Sequence, residues 1–267
     1  MIGVYEKSMP NGFTFGEKLS TAKAAGFDFM EISIDETEEK LSRIYGGFEN
    51  VVRRETDASD FPVLTMCLSA HRKYPLGSLD EKIGARSLDI LRRAVDFAVK
   101  CGIRIIQLAG YDEYYNPSSA QTGKMFEHRL DIAVKYASGK GVMLGFETME
   151  TPFMNTVEKV ITHVKRVNSP YLTVYPDVGN IRNGTDDYLS DIACGAGFIA
   201  AAHLKETKEN VYRNLFFGEG RVDFKGCINE LKKQGVNLFN CEFWYDGKSD
   251  PLEYLKRARS FFSGLGL

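Results

Sequence analysis

Eight short apolar runs recur along this chain at intervals of roughly thirty residues, with amphipathic stretches between them. They read IGVYE, FDFMEISI, PVLTMCL, IRIIQLAG, VMLGFE, LTVYPD, FIAAAH and NLFNCE. Strands separated by helices run parallel, because only a crossover brings the chain back to start the next strand in the same direction. The helix signals fall where this scheme needs them. Thr14 and Glu17 form a capping box that opens a helix to about Ala25, and Gly26 stops it. Ser78 with Glu81 reads as a second box ahead of a stripe through Leu88, Leu91, Val95 and Ala98, closed by Gly102. Asn155 and Glu158 open a further helix, Asp223 caps another, and Ser249-Asp250-Pro251 begins the last. From Asp35 to Asp60 the pattern weakens around Gly46-Gly47 and TDASD, so only a short or irregular helix is expected there. The count is that of a (β/α)8 TIM barrel, one domain over residues 1–267. An open doubly wound sheet would carry a glycine fingerprint after its first strand, and none is present.

Charge and cysteine usage narrow the function class. A formal net charge of -2 supplies no basic footprint for nucleic acid. The opening MIGVYEK runs into a strand without the long apolar stretch of a signal peptide or membrane span, so no membrane partner and a cytoplasmic location are expected. Five cysteines without CxxC spacing read as reduced thiols. His128 and His163 lie in helical patterns among charged neighbours and read as solvent-facing.

The last four runs each close on a polar residue: Glu147, Asp177, His203 and Glu242. In a barrel these strand ends share one mouth, where functional residues gather. A buried carboxylate or imidazole is costly unless compensated, and four together point to one compensator, a single divalent cation per chain. Three carboxylates and one imidazole suit Mn2+, Mg2+, Zn2+ or Co2+. Such a centre holds two oxygens of a sugar or hydroxyketone and steadies the charge that develops when a neighbouring C–H is deprotonated. Glu147 and Glu242, on the fifth and eighth strands, stand apart around the mouth. One can remove a proton from one face of a carbon while the other delivers a proton to the opposite face.

The stretches GVYEKSMP, GFDFMEISIDET, CLSAHRKYPLGS, GIRIIQLAGYDEYY, ETMETPFMN, YPDVGN, HLKET and FGEGRVDF resemble those of the bacterial L-ribulose-5-phosphate (L-xylulose-5-phosphate) 3-epimerases of L-ascorbate and pentose catabolism, within the xylose-isomerase-like barrel superfamily. The resemblance covers nearly the whole chain. It implies a ketose-phosphate 3-epimerase with metal ligands Glu147, Asp177, His203 and Glu242, and with Glu147 and Glu242 as the acid/base pair. It also implies a homo-oligomer, a dimer being favoured. An isomerase of a hexulose 6-phosphate, an inosose or hydroxypyruvate would use the same centre. A DNA-repair endonuclease of the superfamily would need more histidines than the four present. A non-catalytic metal-binding barrel is the remaining alternative. Where superfamily members acting on free ketoses often carry histidine, three residues after the strand-six aspartate, this chain has Asn180, so its substrate contacts differ.

A sugar phosphate needs an anion site, and two loops offer one. The first holds Ser69, His71 and Arg72, whose guanidinium fork matches a phosphate. The second holds Lys205, Lys208 and the backbone of Gly218 to Gly220. Glu6 and Gln107 end other strands and either meet sugar hydroxyls or serve the frame. Trp244 either walls the pocket or packs between helix and strand.

Overall fold

Each apolar run becomes a parallel strand in the computed structural model, which describes residues 1–267. The strands are β1 Ile2–Tyr5, β2 Phe29–Ile34, β3 Val63–Leu68, β4 Ile105–Ala109, β5 Met143–Glu147, β6 Leu172–Val174, β7 Ala202–Leu204 and β8 Phe239–Cys241. They hydrogen-bond in the order β6-β5-β4-β3-β2-β1-β8-β7. The two outer strands meet through the parallel bridges Val174–Ile199 and Asp177–His203, so the sheet closes on itself as a TIM barrel. A single cluster of 63 buried apolar residues runs from Ile2 to Phe262, giving the chain one core rather than two.

Ten α-helices follow the strands, nine of them between one strand and the next: α1 Phe15–Ala24, α2 Glu38–Ser42, α3 Phe48–Ser59, α4 Glu81–Cys101, α5 Ala120–Ser138, α6 Val157–Val167, α7 Val178–Gly184, α8 Tyr188–Cys194, α9 Phe224–Lys233 and α10 Pro251–Ser263. None is long and apolar enough to cross a membrane. The Thr14/Glu17 box caps α1 as expected, and Gly102 ends α4 at φ +74, a conformation glycine adopts without cost.

Three local expectations are corrected. Asp80, not Ser78, caps α4, accepting from Lys82 N at 2.7 Å and Ile83 N at 3.2 Å. Ser78 belongs to the preceding turn, which Arg129 pins by donating to the carbonyls of Leu76 and Ser78. Thr156, not Asn155, caps α6, because the Asn155 side chain is engaged by Lys159 Nζ at 2.6 Å. The Asp35 to Asp60 stretch contains a regular 12-residue helix, α3, preceded by the short α2 and a 3-10 turn at Arg43–Tyr45. The Gly46-Gly47 pair interrupts the helical stretch without abolishing it.

Candidate active site

The barrel brings the four strand-end residues into one cluster. Glu147 is the last residue of β5, His203 lies in β7, and Glu242 follows β8. Asp177 stands three residues beyond β6 as the N-cap of α7, where Oδ1 accepts from Asn180 N at 2.8 Å and Oδ2 faces Lys205 Nζ at 2.8 Å. One ligand atom from each of the four comes within 4.8 Å of the others, and all four residues are buried. His203 Nδ1 lies 3.2 Å from Glu147 Oε1 and 3.2 Å from Glu242 Oε2. Gly179 makes the Asp177 turn possible, since a Cβ there would sit 2.5 Å from the Lys205 carbonyl oxygen and 3.2 Å from Asp177 Oδ1.

Charge decides what this cluster fits. Glu31, Glu147, Asp177 and Glu242 bring four carboxylates, and Lys205 brings one ammonium, 2.8 Å from Asp177 Oδ2 and 3.6 Å from Glu242 Oε2. With all four carboxylates ionised and His203 protonated, four negative charges less two positive would leave two uncompensated in a buried site. Beyond these Lys205 and His203 contacts, neither Asp177 Oδ2 nor Glu242 Oε2 has a hydrogen-bond partner. A divalent cation answers both deficits, and the hard oxygen set with one imidazole matches the metals inferred from the sequence. The titration behaviour reflects the same crowding. Burial pushes Asp177 well above the usual carboxylate range despite Lys205. Burial acts on Glu242 in the same sense, but Lys205 and His203 outweigh it and hold that carboxyl below its ordinary value. For His203, burial is overcome by Glu31 and Glu242, which raise the imidazole well above its normal range.

The other residues expected at the site divide. Gln107 donates from Nε2 to Glu147 Oε2, so it orients that carboxylate. Lys205 joins the cluster itself rather than a separate anion loop. Asn180 is buried and holds the Thr148 carbonyl from Nδ2 at 2.7 Å, its Oδ1 unpartnered. Trp244 is half-buried and meets Tyr5 edge-on with ring centroids 6.4 Å apart, in a wall that continues to His203 through Tyr5.

Of the two roles open to Glu6, sugar contact and framework, its surroundings match the framework. Its carboxylate is fully buried, contacts Lys18, Lys40 and Arg43, and accepts from Ser33 N at 2.9 Å. His71 is corrected: it is buried with Nε2 3.2 Å from the Ser87 carbonyl, and desolvation lowers it to about 4, the reverse of a phosphate-binding cation. His163 is not solvent-facing but packs between the rings of Phe126 and Phe153. In the second anion loop the Glu206 carboxylate already takes the amides of Thr207, Gly218 and Val222 at 3.1, 2.8 and 3.1 Å. From the first loop Ser69 is half-buried, while Arg72 stacks on Tyr114 with its Cζ 4.8 Å from the ring centroid and its buried Nε unpartnered. Beside it, Tyr114 OH and Arg213 Nη2 share Glu150 Oε1 at 2.9 and 3.0 Å.

Sequence reasoning placed Glu31 in a strand but not in the site. The same signal, a carboxylate within an apolar run, marks it. Thr148 was also missed: it accepts from Asp177 N at 3.0 Å and so ties β5 to the Asp177 turn. A threonine beside a strand end carries no signal of its own.

Comparison with known proteins gives the chain its family and fold. The family model described as a xylose isomerase-like TIM barrel matches residues 19–264. Proteins named L-ribulose-5-phosphate 3-epimerase UlaE from Escherichia coli (strain Crooks) and Shigella sonnei are each 40% identical over 263 residues, covering 97% of this chain and 93% of theirs. Among solved structures, an L-ribulose 3-epimerase superposes with a TM-score of 0.82 at 18% identity, covering 99% of this chain and 93% of the other. The D-allulose 3-epimerase from Methylomonas sp. in complex with D-allulose gives 0.81 at 16% identity, covering 98% and 96%.

Proposed function

The chain belongs to the xylose isomerase-like TIM barrel family and, within it, to the L-ribulose-5-phosphate 3-epimerase family, and we propose that it interconverts L-ribulose 5-phosphate and L-xylulose 5-phosphate by inverting C3. The observation that carries the reading is the meeting of two glutamates from separate strands at one imidazole nitrogen, 3.2 Å from each. Such an arrangement flanks a small substrate with two carboxylates.

The C3 hydrogen of a 2-ketose is acidic because the carbanion left behind is delocalised onto the C2 carbonyl as an enediolate. Of Glu147 and Glu242, one removes that proton and the other returns a proton to the opposite face, so the configuration inverts. Gln107 holds the Glu147 carboxylate in a fixed direction during the transfer. Asp177 and His203 act as ligands only. A bound divalent cation supplies Lewis-acid stabilisation of the negative charge on the ketose oxygens. Burial of both glutamates, at 5% and 8% exposed, keeps bulk water from competing for the reacting proton.

The phosphate end of the substrate is assigned to the first loop, with Arg72 as its principal contact and Ser69 beside it. The unpartnered Arg72 Nε supports this choice, and the filling of the second loop's amides by Glu206 counts against the alternative. Trp244 and Asn180 complete the sugar pocket in this reading. In this reading the chain serves L-ascorbate and pentose catabolism as a homo-oligomer, a dimer being favoured, as the sequence resemblance implies.

The test is solvent deuterium exchange at C3 of both pentulose phosphates with added Mn2+, Mg2+, Co2+ or Zn2+, with products followed by NMR. Exchange with inversion is expected. Glu147→Gln and Glu242→Gln should each lower kcat by about 10²–10⁴-fold with folding intact. No exchange with any cation would sink the mechanism. Turnover of a hexulose 6-phosphate, inosose or hydroxypyruvate in its place would reassign the substrate.

A further inference from the structure

Beneath the four site residues lies a fifth acidic group that none of the proposed chemistry uses. Glu31, on β2, is fully buried. Its Oε1 lies 2.7 Å from His203 Nε2 and accepts from Asn240 Nδ2 at 2.9 Å. Its Oε2 accepts from Thr65 Oγ1 at 2.7 Å and from Tyr175 OH at 3.0 Å. The four donors come from or beside β7, β8, β3 and β6, so this one carboxylate ties much of the barrel interior together.

The arrangement has a consequence for His203. An ionised carboxylate only accepts, so the ring nitrogen facing Glu31 must carry a proton. The nitrogen left for a cation is then Nδ1, the one 3.2 Å from Glu147 Oε1 and Glu242 Oε2. Tyr175 meets the imidazole edge-on, with centroids 4.9 Å apart, and limits ring rotation.

We propose that Glu31 is a positioning residue that holds His203 in the Nε2-protonated tautomer with Nδ1 turned to the cation, and thereby sets the affinity of the centre for its metal. The proposal rests on the reading of Glu147, Asp177, His203 and Glu242 as a cation centre. A carboxylate behind a ligating histidine fixes ring orientation and raises ligand basicity, and its loss costs about 10–100-fold in affinity.

The experiment titrates chelator-stripped protein with Zn2+ and with Mn2+ in competition with a chromophoric chelator, for the wild type, Glu31→Gln and Thr65→Val. Thr65→Val removes a buried hydrogen bond to Glu31 without touching His203. Glu31→Gln is expected to weaken binding about 10–100-fold, and Thr65→Val less than about 3-fold. In the Zn2+-loaded wild type, 15N NMR of His203 should find the proton on Nε2, a measurement that stands even where a variant fails to fold. Affinity unchanged in Glu31→Gln, equal losses in the two variants, or a proton found on Nδ1 would each overturn the proposal while leaving the cation reading intact. A wild-type chain that binds neither ion would overturn both.

Discussion

Replacing Glu6 by Gln removes the only anion among three buried cations, and its cost follows from the contacts around it. Glu6 is fully buried and faces Lys18 at 3.0 Å, Lys40, and Arg43, which grips both carboxylate oxygens at 2.8 and 3.0 Å. Breaking a buried ion pair by removing one partner costs about 3–5 kcal/mol, because the other charge is left uncompensated. At about 2–4 °C per kcal/mol for a domain approaching this size, the melting temperature should fall by roughly 6–20 °C. Adding Lys40→Met should recover part of the loss, since it lowers the surplus of positive charge. Acid sensitivity provides a second readout. Burial would raise Glu6, yet Arg43, Lys18 and Lys40 hold it well below the usual carboxylate range. Its contribution to stability is therefore full above about pH 4.3 and is lost as the pH falls towards the depressed folded value, so Glu6→Gln should flatten this acid limb. Thermal melts and urea titrations across pH 2 to 7, with kinetics at neutral pH, measure all of this. A variant that melts within 2 °C of the wild type but loses substrate affinity would refute the framework role and restore Glu6 as a sugar contact.

Two further substitutions probe the frame and the site in turn. His71 stays neutral in the fold down to about pH 4 because burial excludes its charged form, whereas the unfolded chain takes up the proton near pH 6.5. Stability should therefore fall by up to about 3 kcal/mol between pH 6.5 and 4, and His71→Gln should remove that slope; an unchanged slope in urea midpoints would disprove the assignment. Gly179→Ala places a Cβ 2.5 Å from the Lys205 carbonyl oxygen and 2.8 Å from Thr207 Cγ2, so the Asp177 turn must shift. Metal affinity and kcat/KM are expected to drop together by at least about tenfold, as a misplacement of about 1 Å can cost 10²-fold in rate. Wild-type affinity with an intact α7 would count against the turn's role.

The barrel and the clustering of Glu147, Asp177, His203 and Glu242 were legible in the sequence because both depend on local signals. Strand runs, caps and glycine stops repeat with the spacing that parallel strands require, and Glu147, Asp177, His203 and Glu242 stand at the ends of those runs. The misplaced caps at Ser78 and Asn155 show the limit of local chemistry. Arg129 and Lys159, 51 and 4 residues away, engage the residues that were expected to cap. Glu6, His71 and Glu31 mark the same limit at the site. Each is a polar residue in or beside an apolar run, and nothing in its neighbours along the chain states what it will face.

The chain order alone thus determines that eight strands run parallel and that Glu147, Asp177, His203 and Glu242 reach one mouth, since strand direction and residue position follow from periodicity. Only the tertiary structure decides which charge compensates which. Glu6 is claimed by Lys18, Lys40 and Arg43 from the segments after β1 and β2, while Glu31 is claimed by His203, 172 residues away. Coulomb and hydrogen-bond energies depend on distance in space and on exclusion of water, and both are set when the barrel closes.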